Sequence, residues 1–146
     1  MRAVVTRVKS ASVTIEGKVN GEIGQGYLVL LGVGPEDTEA VAEKLAEKIV
    51  HLRVFEDEQG RMNRDIAAVG GHILVVSQFT LYADLSSRRP GFSHAAKPEL
   101  AKPLYEYFLA CLGDLGFPPE HGEVGADMQV ASVNDGPVTL LYELDS

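Results

Sequence analysis

A short polar segment at the end of an apolar run is the first place in this sequence where chemistry is possible. The segment is Ser77-Gln78-Phe79-Thr80, directly after residues 73–76 (Ile-Leu-Val-Val). A strand that ends in this way places hydroxyl groups and backbone N–H donors at the margin of a sheet. Donors aimed at a developing oxyanion suit acyl transfer. The alternative is a strand end whose hydroxyls bond only to nearby backbone.

A hydroxyl nucleophile in this segment needs a base to activate it. His72 is on the same predicted strand, five residues before Ser77 and eight before Thr80, and this separation argues against direct contact. No Gly-x-Ser-x-Gly elbow is present, and the roles of His72 and His94 stay open. The residues therefore give little support for a catalytic triad within the protein.

Metal and cofactor signatures are weak in this sequence. The four histidines are far apart and show neither HxxxH nor HxxE spacing, and no phosphate-binding glycine loop is present. We expect a site that uses no metal and no cofactor. Cys111 is the single cysteine, and its apolar helical surroundings predict a packing role.

A second segment of interest lies near the C-terminus, at residues 134–139 (Asn-Asp-Gly-Pro-Val-Thr). Asp-Gly between two strands predicts a tight hairpin turn. Pro137 removes a ladder donor directly afterwards and restricts Gly136. Because most X-Pro bonds are trans, the simplest interpretation is an edge hairpin with a trans proline.

The elements that position these segments follow from hydrophobic periodicity. Helices are predicted after an N-cap at Asp37 or Thr38, and from about Pro103 onwards. Short links between strands favour antiparallel pairing, so the predicted fold is α+β, with mostly antiparallel sheets and two helices in a single domain, residues 1–146. The main predicted strands are residues 3–8, 12–15, 19–23, 27–33, 72–79, 128–133 and 138–144, of which 27–33 is apolar enough to be buried on both faces.

The charge of the chain limits its modes of nucleic-acid binding. The net charge of -8 argues against nonspecific binding to phosphates. Between residues 88 and 102, however, four basic residues (Arg88, Arg89, Lys97 and Lys102) face one acidic residue, so this stretch is the best candidate for docking RNA. The sequence shows neither a signal peptide nor a membrane span, and with one cysteine it fits the cytoplasm.

Together, the two segments resemble the signature motifs of the D-aminoacyl-tRNA deacylase (D-tyrosyl-tRNA deacylase) family. The resemblance extends to residues 1–5 (Met-Arg-Ala-Val-Val), 11–14 (Ala-Ser-Val-Thr) and 127–130 (Asp-Met-Gln-Val), and so covers essentially the whole chain. It implies a homodimer with its active sites at the subunit interface. It also implies hydrolysis of the ester that joins a D-amino acid, or glycine, to the 3′-terminal ribose of an aminoacyl-tRNA.

The resemblance assigns roles within the first segment. Residues 77–80 would form the catalytic segment, with N–H groups around Gln78 and Phe79 holding the carbonyl or oxyanion. Thr80 would be a positioning or proton-relay hydroxyl, and the ribose 2′-hydroxyl would assist the attack of water.

The resemblance also assigns roles in binding. Gly136 and Pro137 would form a cis step that enters the partner's pocket and rejects an L side chain by collision. Met128 would line the pocket of the terminal adenosine, and Arg88 and Arg89 would lie near the tRNA 3′ end. Val124 departs from the family pattern, which usually has phenylalanine at the corresponding position, so shape-filling contact would replace stacking there.

Three alternatives remain at this point. The chain could be an esterase with Thr80 or Ser77 as its nucleophile, or a noncatalytic RNA- or ribosome-binding module. It could also belong to a sister branch of the family in which the Gly-Pro step is trans.

Overall fold

The fold is organised around one long strand, β1 (Arg2–Ile15), in a computed structural model that describes residues 1–145. The first half of β1 pairs antiparallel with β3 (Gly26–Gly32), and the second half pairs antiparallel with β2 (Lys18–Ile23) along the same edge. β8 (Met128–Glu143) runs antiparallel along the whole opposite edge of β1. Residues 12–15 and 19–23, both predicted as strands, pair as the hairpin of β1 and β2, as the turn composition of residues 16–18 (Glu-Gly-Lys) predicts. Glu16 and Gly17 both have positive φ there, as a tight primed turn requires.

Parallel pairing on the other side of β3 was not expected. β6 (His72–Ser77) pairs parallel with β3, and the short β7 (Glu120–His121) pairs parallel with β6. The chain between β3 and β6 contains α1 (Glu39–Val50), and a helical crossover of this kind allows two strands to run the same way. A small hairpin of β4 (Phe55–Glu56) and β5 (Met62–Arg64) completes this connection.

The two predicted helices are present on one face of the sheet. Thr38 caps α1, since its hydroxyl accepts a hydrogen bond from the Val41 N–H at 3.4 Å. The second helix, α2 (Pro98–Asp114), begins with Pro98 in its first turn, so the prediction of a start near Pro103 was wrong. Pro103 lies inside the helix on its exposed side, where the loss of one N–H donor is tolerated more easily than in the core.

The core has a cluster of buried side chains on each face of the two central strands. Tyr27, Val29 and Leu31 of β3 pack with the helices, whereas Leu28 belongs to the cluster on the opposite face. β3 is therefore buried on both faces, as predicted. The sheet also curls, because β2 reaches β7, and the Asn20 side chain donates to the His121 carbonyl at 2.6 Å.

Cys111 lies in the helical layer, where it is 9% exposed. Burial, followed by the nearby Glu43 carboxylate, raises the pKa of its thiol, so little thiolate forms at neutral pH. We expect Cys111→Ser to keep kcat within about twofold of the unmodified protein, measured in the activity assay described below. Inactivation of a variant that stays folded by circular dichroism would contradict the packing role.

Candidate active site at the end of strand β6

The segment that ends β6 turns away from the sheet at Gln78. The Gln78 N–H still donates to the Leu31 carbonyl at 2.8 Å, as the last bond of the β3–β6 ladder. The chain then forms a single 3₁₀ turn, Phe79–Tyr82. Gln78 therefore does not offer its N–H to a ligand, which narrows the expected donors to the residues that follow it.

Two backbone N–H groups remain available at the start of this turn. Within residues 1–145, the amides of Phe79 and Thr80 have no protein acceptor. Thr80 is exposed, and its Oγ1 accepts a hydrogen bond from Gln78 Nε2 at 3.0 Å. An amide group cannot take up a proton as a base, so this contact orients the Thr80 hydroxyl without activating it as a nucleophile.

Phe79 and Thr80 line a cavity of about 790 Å³, here called the Phe79 pocket. Its walls come from residues 76–80, from residues 92–101 at and before the start of α2, and from residues 124–130 at the start of β8. The volume falls in the range typical of small-molecule sites. The exposed ring of Phe79 stacks edge-on against Phe92, with ring centroids 5.0 Å apart.

Met128 and Val124 both line the Phe79 pocket. Two hydrogen bonds to β6 hold the chain beside these residues. The buried Tyr105 hydroxyl donates to the Val75 carbonyl at 3.0 Å. The Gly122 N–H donates to the same carbonyl at 3.1 Å. A Cβ at Gly122 would lie 2.5 Å from the Met128 sulfur, so a side chain at this position would displace Met128.

The Gly-Pro segment is not a hairpin turn, contrary to the first prediction. β8 is continuous, and the pairs Val8↔Asn134 and Thr6↔Thr139 leave residues 135–138 as a bulge, here called the Gly-Pro bulge. The bulge forms because the partner strand β1 continues past it and holds both flanks in one ladder. The Asn134 side chain closes it by accepting the Val138 N–H at 3.0 Å. The Gly136–Pro137 bond is cis, the isomer that the family resemblance implies.

Arg7 holds the Gly-Pro bulge and was missed as a site residue. It is 6% exposed, and it donates from Nε to the Asp135 carbonyl at 2.9 Å and from Nη1 to the Val54 carbonyl at 2.5 Å. A signal was present in the sequence, because Arg7 occupies the core-facing register of Ala3 and Val5 in β1. A charge at such a position needs partners, and Arg7 finds them in the bulge.

The structure does not bring all expected site residues together within one chain. Gly136 and Pro137 do not line the Phe79 pocket of their own chain. His72 is at the opposite end of β6 from Ser77, and at about 3.3 Å per residue the two lie roughly 16 Å apart. His72 therefore cannot activate Ser77 or Thr80 directly.

Arg88 and Arg89 are at the exposed tip of a loop outside the pocket. The loop is closed by Asp84 and Gly91, which exchange two backbone hydrogen bonds of 2.7 and 3.0 Å. The backbone N–H of Ser86 binds the Asp84 carboxylate and, with the Ser86 hydroxyl, lowers the pKa of that carboxyl. His94 lies 3.8 Å from the same carboxylate. Among the basic residues 88–102, Lys97 is the one that lines the Phe79 pocket.

Within residues 1–145, no three His, Cys, Asp or Glu side chains lie close enough to hold a metal ion. Over the same residues, no helix is long and apolar enough to cross a membrane.

Comparison with known proteins identifies the family. A family model described as D-Tyr-tRNA(Tyr) deacylase matches residues 4–143. The D-aminoacyl-tRNA deacylase of Roseiflexus castenholzii is 58% identical over 144 residues, covering 98% of this chain and 92% of the relative. That of Thermus aquaticus is 57% identical over 144 residues, covering 98% of this chain and 95% of the relative.

Solved structures share the fold. One described as "c-Myc DNA Unwinding Element Binding Protein" superposes with a TM-score of 0.94 at 43% identity and covers 100% of both chains. Another, from a structural analysis of a probable eukaryotic D-amino acid tRNA deacylase, has a TM-score of 0.87 at 14% identity, covers 98% of both chains and supports the fold alone.

The fold, the pocket and the family match define this chain as a hydrolase. It belongs to the D-aminoacyl-tRNA deacylase family.

Proposed function

We propose that this chain hydrolyses D-aminoacyl-tRNA to a free D-amino acid and tRNA, in the cytoplasm. The observation that carries the proposal is that Phe79 and Thr80, whose amides have no protein acceptor within residues 1–145, line a pocket of substrate size in a chain of this family. Donors fixed in advance around a developing negative charge are the main requirement for ester hydrolysis.

The reaction needs no nucleophile from the protein. Water adds to the ester carbonyl, whose oxygen becomes an oxyanion held by the two amides. The bond to the ribose 3′-oxygen then breaks, and that oxygen takes up the proton that the attacking water released, which restores the tRNA end. The neighbouring ribose 2′-hydroxyl assists the attack of water, and the Thr80 hydroxyl, oriented by Gln78, positions the substrate. Met128 and Val124 contact the terminal adenosine.

A second copy of the chain supplies the Gly-Pro bulge to this pocket. In support of this, β8 has an outer edge without a partner strand among residues 1–145, and only Val138 of its 16 residues is buried. Its exposed side chains include four large apolar ones, Val130, Val133, Leu140 and Leu141. A long apolar edge strand is a ready surface for association, so a homodimer explains what covers it.

The same arrangement accounts for the choice of stereochemistry. Backbone atoms of Gly136 and Pro137 from the partner would stand beside the substrate α-carbon, where an L side chain collides and a D side chain does not. Glycine carries only hydrogen at that point, so glycyl-tRNA is accepted as a second substrate. Exclusion by a rigid backbone is selection against the wrong ligand rather than attraction of the right one.

The direct test is deacylation of purified, labelled aminoacyl-tRNAs. We expect the protein to release D-tyrosine from D-tyrosyl-tRNA and glycine from glycyl-tRNA, and to leave L-tyrosyl-tRNA intact. Binding of uncharged tRNA without release of any amino acid would instead indicate a noncatalytic module. A covalent adduct on Thr80 in mass spectra of the stalled reaction would replace the water mechanism with a nucleophilic one.

The loop that carries Arg88 and Arg89 is proposed to contact the tRNA backbone. We expect Arg88→Glu with Arg89→Glu to raise KM about tenfold and to leave kcat nearly unchanged, because such contacts bind ground state and transition state alike. Steady-state kinetics at two salt concentrations measure this. Lys44→Glu with Lys48→Glu, on the exposed side of α1, changes the net charge by the same amount and serves as the control. A loss confined to kcat would argue against a docking role.

A further inference from the structure

The 3₁₀ turn Phe79–Tyr82, which carries the two free amides, is not held by a hydrophobic core. None of its four residues is buried. A turn without buried side chains has little hydrophobic stabilisation, yet donors for an oxyanion must hold their place to within a fraction of an ångström. The contacts that fix this turn must therefore come from other parts of the chain.

Arg2, at the start of β1, makes two of these contacts. Its Nη1 donates to the Leu81 carbonyl at 2.7 Å, and its guanidinium carbon lies 4.4 Å from the centre of the Tyr82 ring. Arg2 Nε also lies 3.9 Å from a Glu143 carboxylate oxygen near the end of β8. A planar guanidinium can cover a ring and donate to a carbonyl at the same time, which a lysine ammonium does less well.

The end of β3 forms the other side of the support. A Cβ built on Gly32 would lie 3.0 Å from the Leu81 Cβ and 3.2 Å from the Gln78 carbonyl oxygen. One built on Gly34 would lie 3.1 Å from the Tyr82 ring. The backbone of β3 thus contacts the turn directly, and the absence of side chains at Gly32 and Gly34 permits this contact. Partial burial and then the nearby Asp37 carboxylate raise the pKa of the half-buried Tyr82 to about 12, so its ring stays neutral.

We propose that Arg2, acting with Gly32, is a positioning residue that fixes the amides of Phe79 and Thr80 in the orientation the transition state needs. The inference rests on the proposed function, because it assigns those amides to the oxyanion. Arg2 contacts the Leu81 carbonyl and the Tyr82 ring, and it need not touch the substrate. Its loss should therefore lower the rate of the chemical step without weakening binding.

The test compares Arg2→Met, Arg2→Lys and Gly32→Ala in the deacylation of D-tyrosyl-tRNA. We expect Arg2→Met to lower kcat at least tenfold with KM within about twofold of the unmodified protein. The kcat of Arg2→Lys should lie between those of Arg2→Met and the unmodified protein. Gly32→Ala should likewise lower kcat. Binding of D-tyrosine linked to 3′-amino-adenosine by an uncleavable amide should be unchanged in all three.

Two controls separate positioning from a general loss of structure. Arg64→Met removes an arginine of similar side-chain exposure, 40% against 37% for Arg2. Gly113→Ala adds a methyl group where no atom lies within 4 Å. Melting temperatures are recorded for every variant. If Arg2→Met does not fold, the kcat values of Arg2→Lys and Gly32→Ala still test the positioning role.

The outcomes distinguish this inference from the proposed function. Unchanged kcat in folded Arg2 and Gly32 variants, or a change in KM alone, would overturn the positioning role while leaving the function in place. Failure of the unmodified protein to release D-tyrosine would overturn the function itself, and with it the role of Arg2.

Discussion

Gly136→Ala is expected to lower the turnover of D-tyrosyl-tRNA by about two orders of magnitude. A Cβ at this position would lie 2.8 Å from Val138 Cγ2 and 2.9 Å from Arg7 Nη2, closer than atoms of these types can approach. Gly136 also has a φ of +132°, which an L side chain rarely adopts. The backbone of the Gly-Pro bulge must therefore move, and a displacement of about 1 Å at a site can cost about a hundredfold in rate.

Single-turnover deacylation with D-tyrosyl-tRNA measures this effect. Gly60→Ala is the matched control, since Gly60 has a φ of +75° in an exposed turn with no atom within 4 Å of a built Cβ. That control carries the conformational cost of positive φ without the crowding, so it should lose some stability and no activity. Equal rates for Gly136→Ala and the unmodified protein would contradict the placement of the bulge at the substrate.

Arg7→Met is expected to weaken the discrimination between D- and L-tyrosyl-tRNA by at least tenfold. Arg7 donates to the Asp135 carbonyl and to the Val54 carbonyl, so it links the Gly-Pro bulge to the segment before β4. Without the guanidinium, the backbone beside Gly136 loses its anchor and can yield to an L side chain. Exclusion by collision works only while the blocking atoms cannot move aside.

The Arg7 variant should also be less stable. A carbonyl left without its donor in a buried site costs roughly 1–3 kcal/mol. Parallel assays with D- and L-tyrosyl-tRNA give the discrimination, and denaturant titration gives the free energy of unfolding. Arg53→Met removes an exposed arginine that bonds the Asn63 carbonyl and should change neither selectivity nor rate. If Arg7→Met kept full discrimination, Arg7 would be a packing residue only.

Several features of the fold could be predicted because short-range rules decide them. Three of them depend on residues close together in sequence. They are the turn at Glu16 and Gly17, the cap at Thr38 and the burial of β3 on both faces. Residues 77–80 drew attention in the same way, as polar residues at the end of an apolar strand. The family resemblance assigned Met128 and Val124 to one pocket, and both side chains line the Phe79 pocket.

The errors arose where distant parts of the chain decide local structure. Asp-Gly near the C-terminus predicted a hairpin, but β1 runs along both flanks of the motif and turns it into a bulge of one strand. Mostly antiparallel sheet was predicted, and the pairing of β3 with β6 departs from it because the crossover through α1 makes these two strands parallel. In both cases a long-range ladder overrides a preference that is local.

The sequence by itself determined which groups could do chemistry, namely a polar strand end, a Gly-Pro step and a chain poor in metal ligands. Only the tertiary structure decided which of these groups are free to act. Within residues 1–145, the Gln78 N–H donates to the sheet, whereas the N–H groups of Phe79 and Thr80 have no protein acceptor. The tertiary structure also placed Arg7 on the Gly-Pro bulge and Arg2 on the 3₁₀ turn. Whether a hydrogen-bonding group is free depends on the partner it meets, and those partners are far away in the sequence.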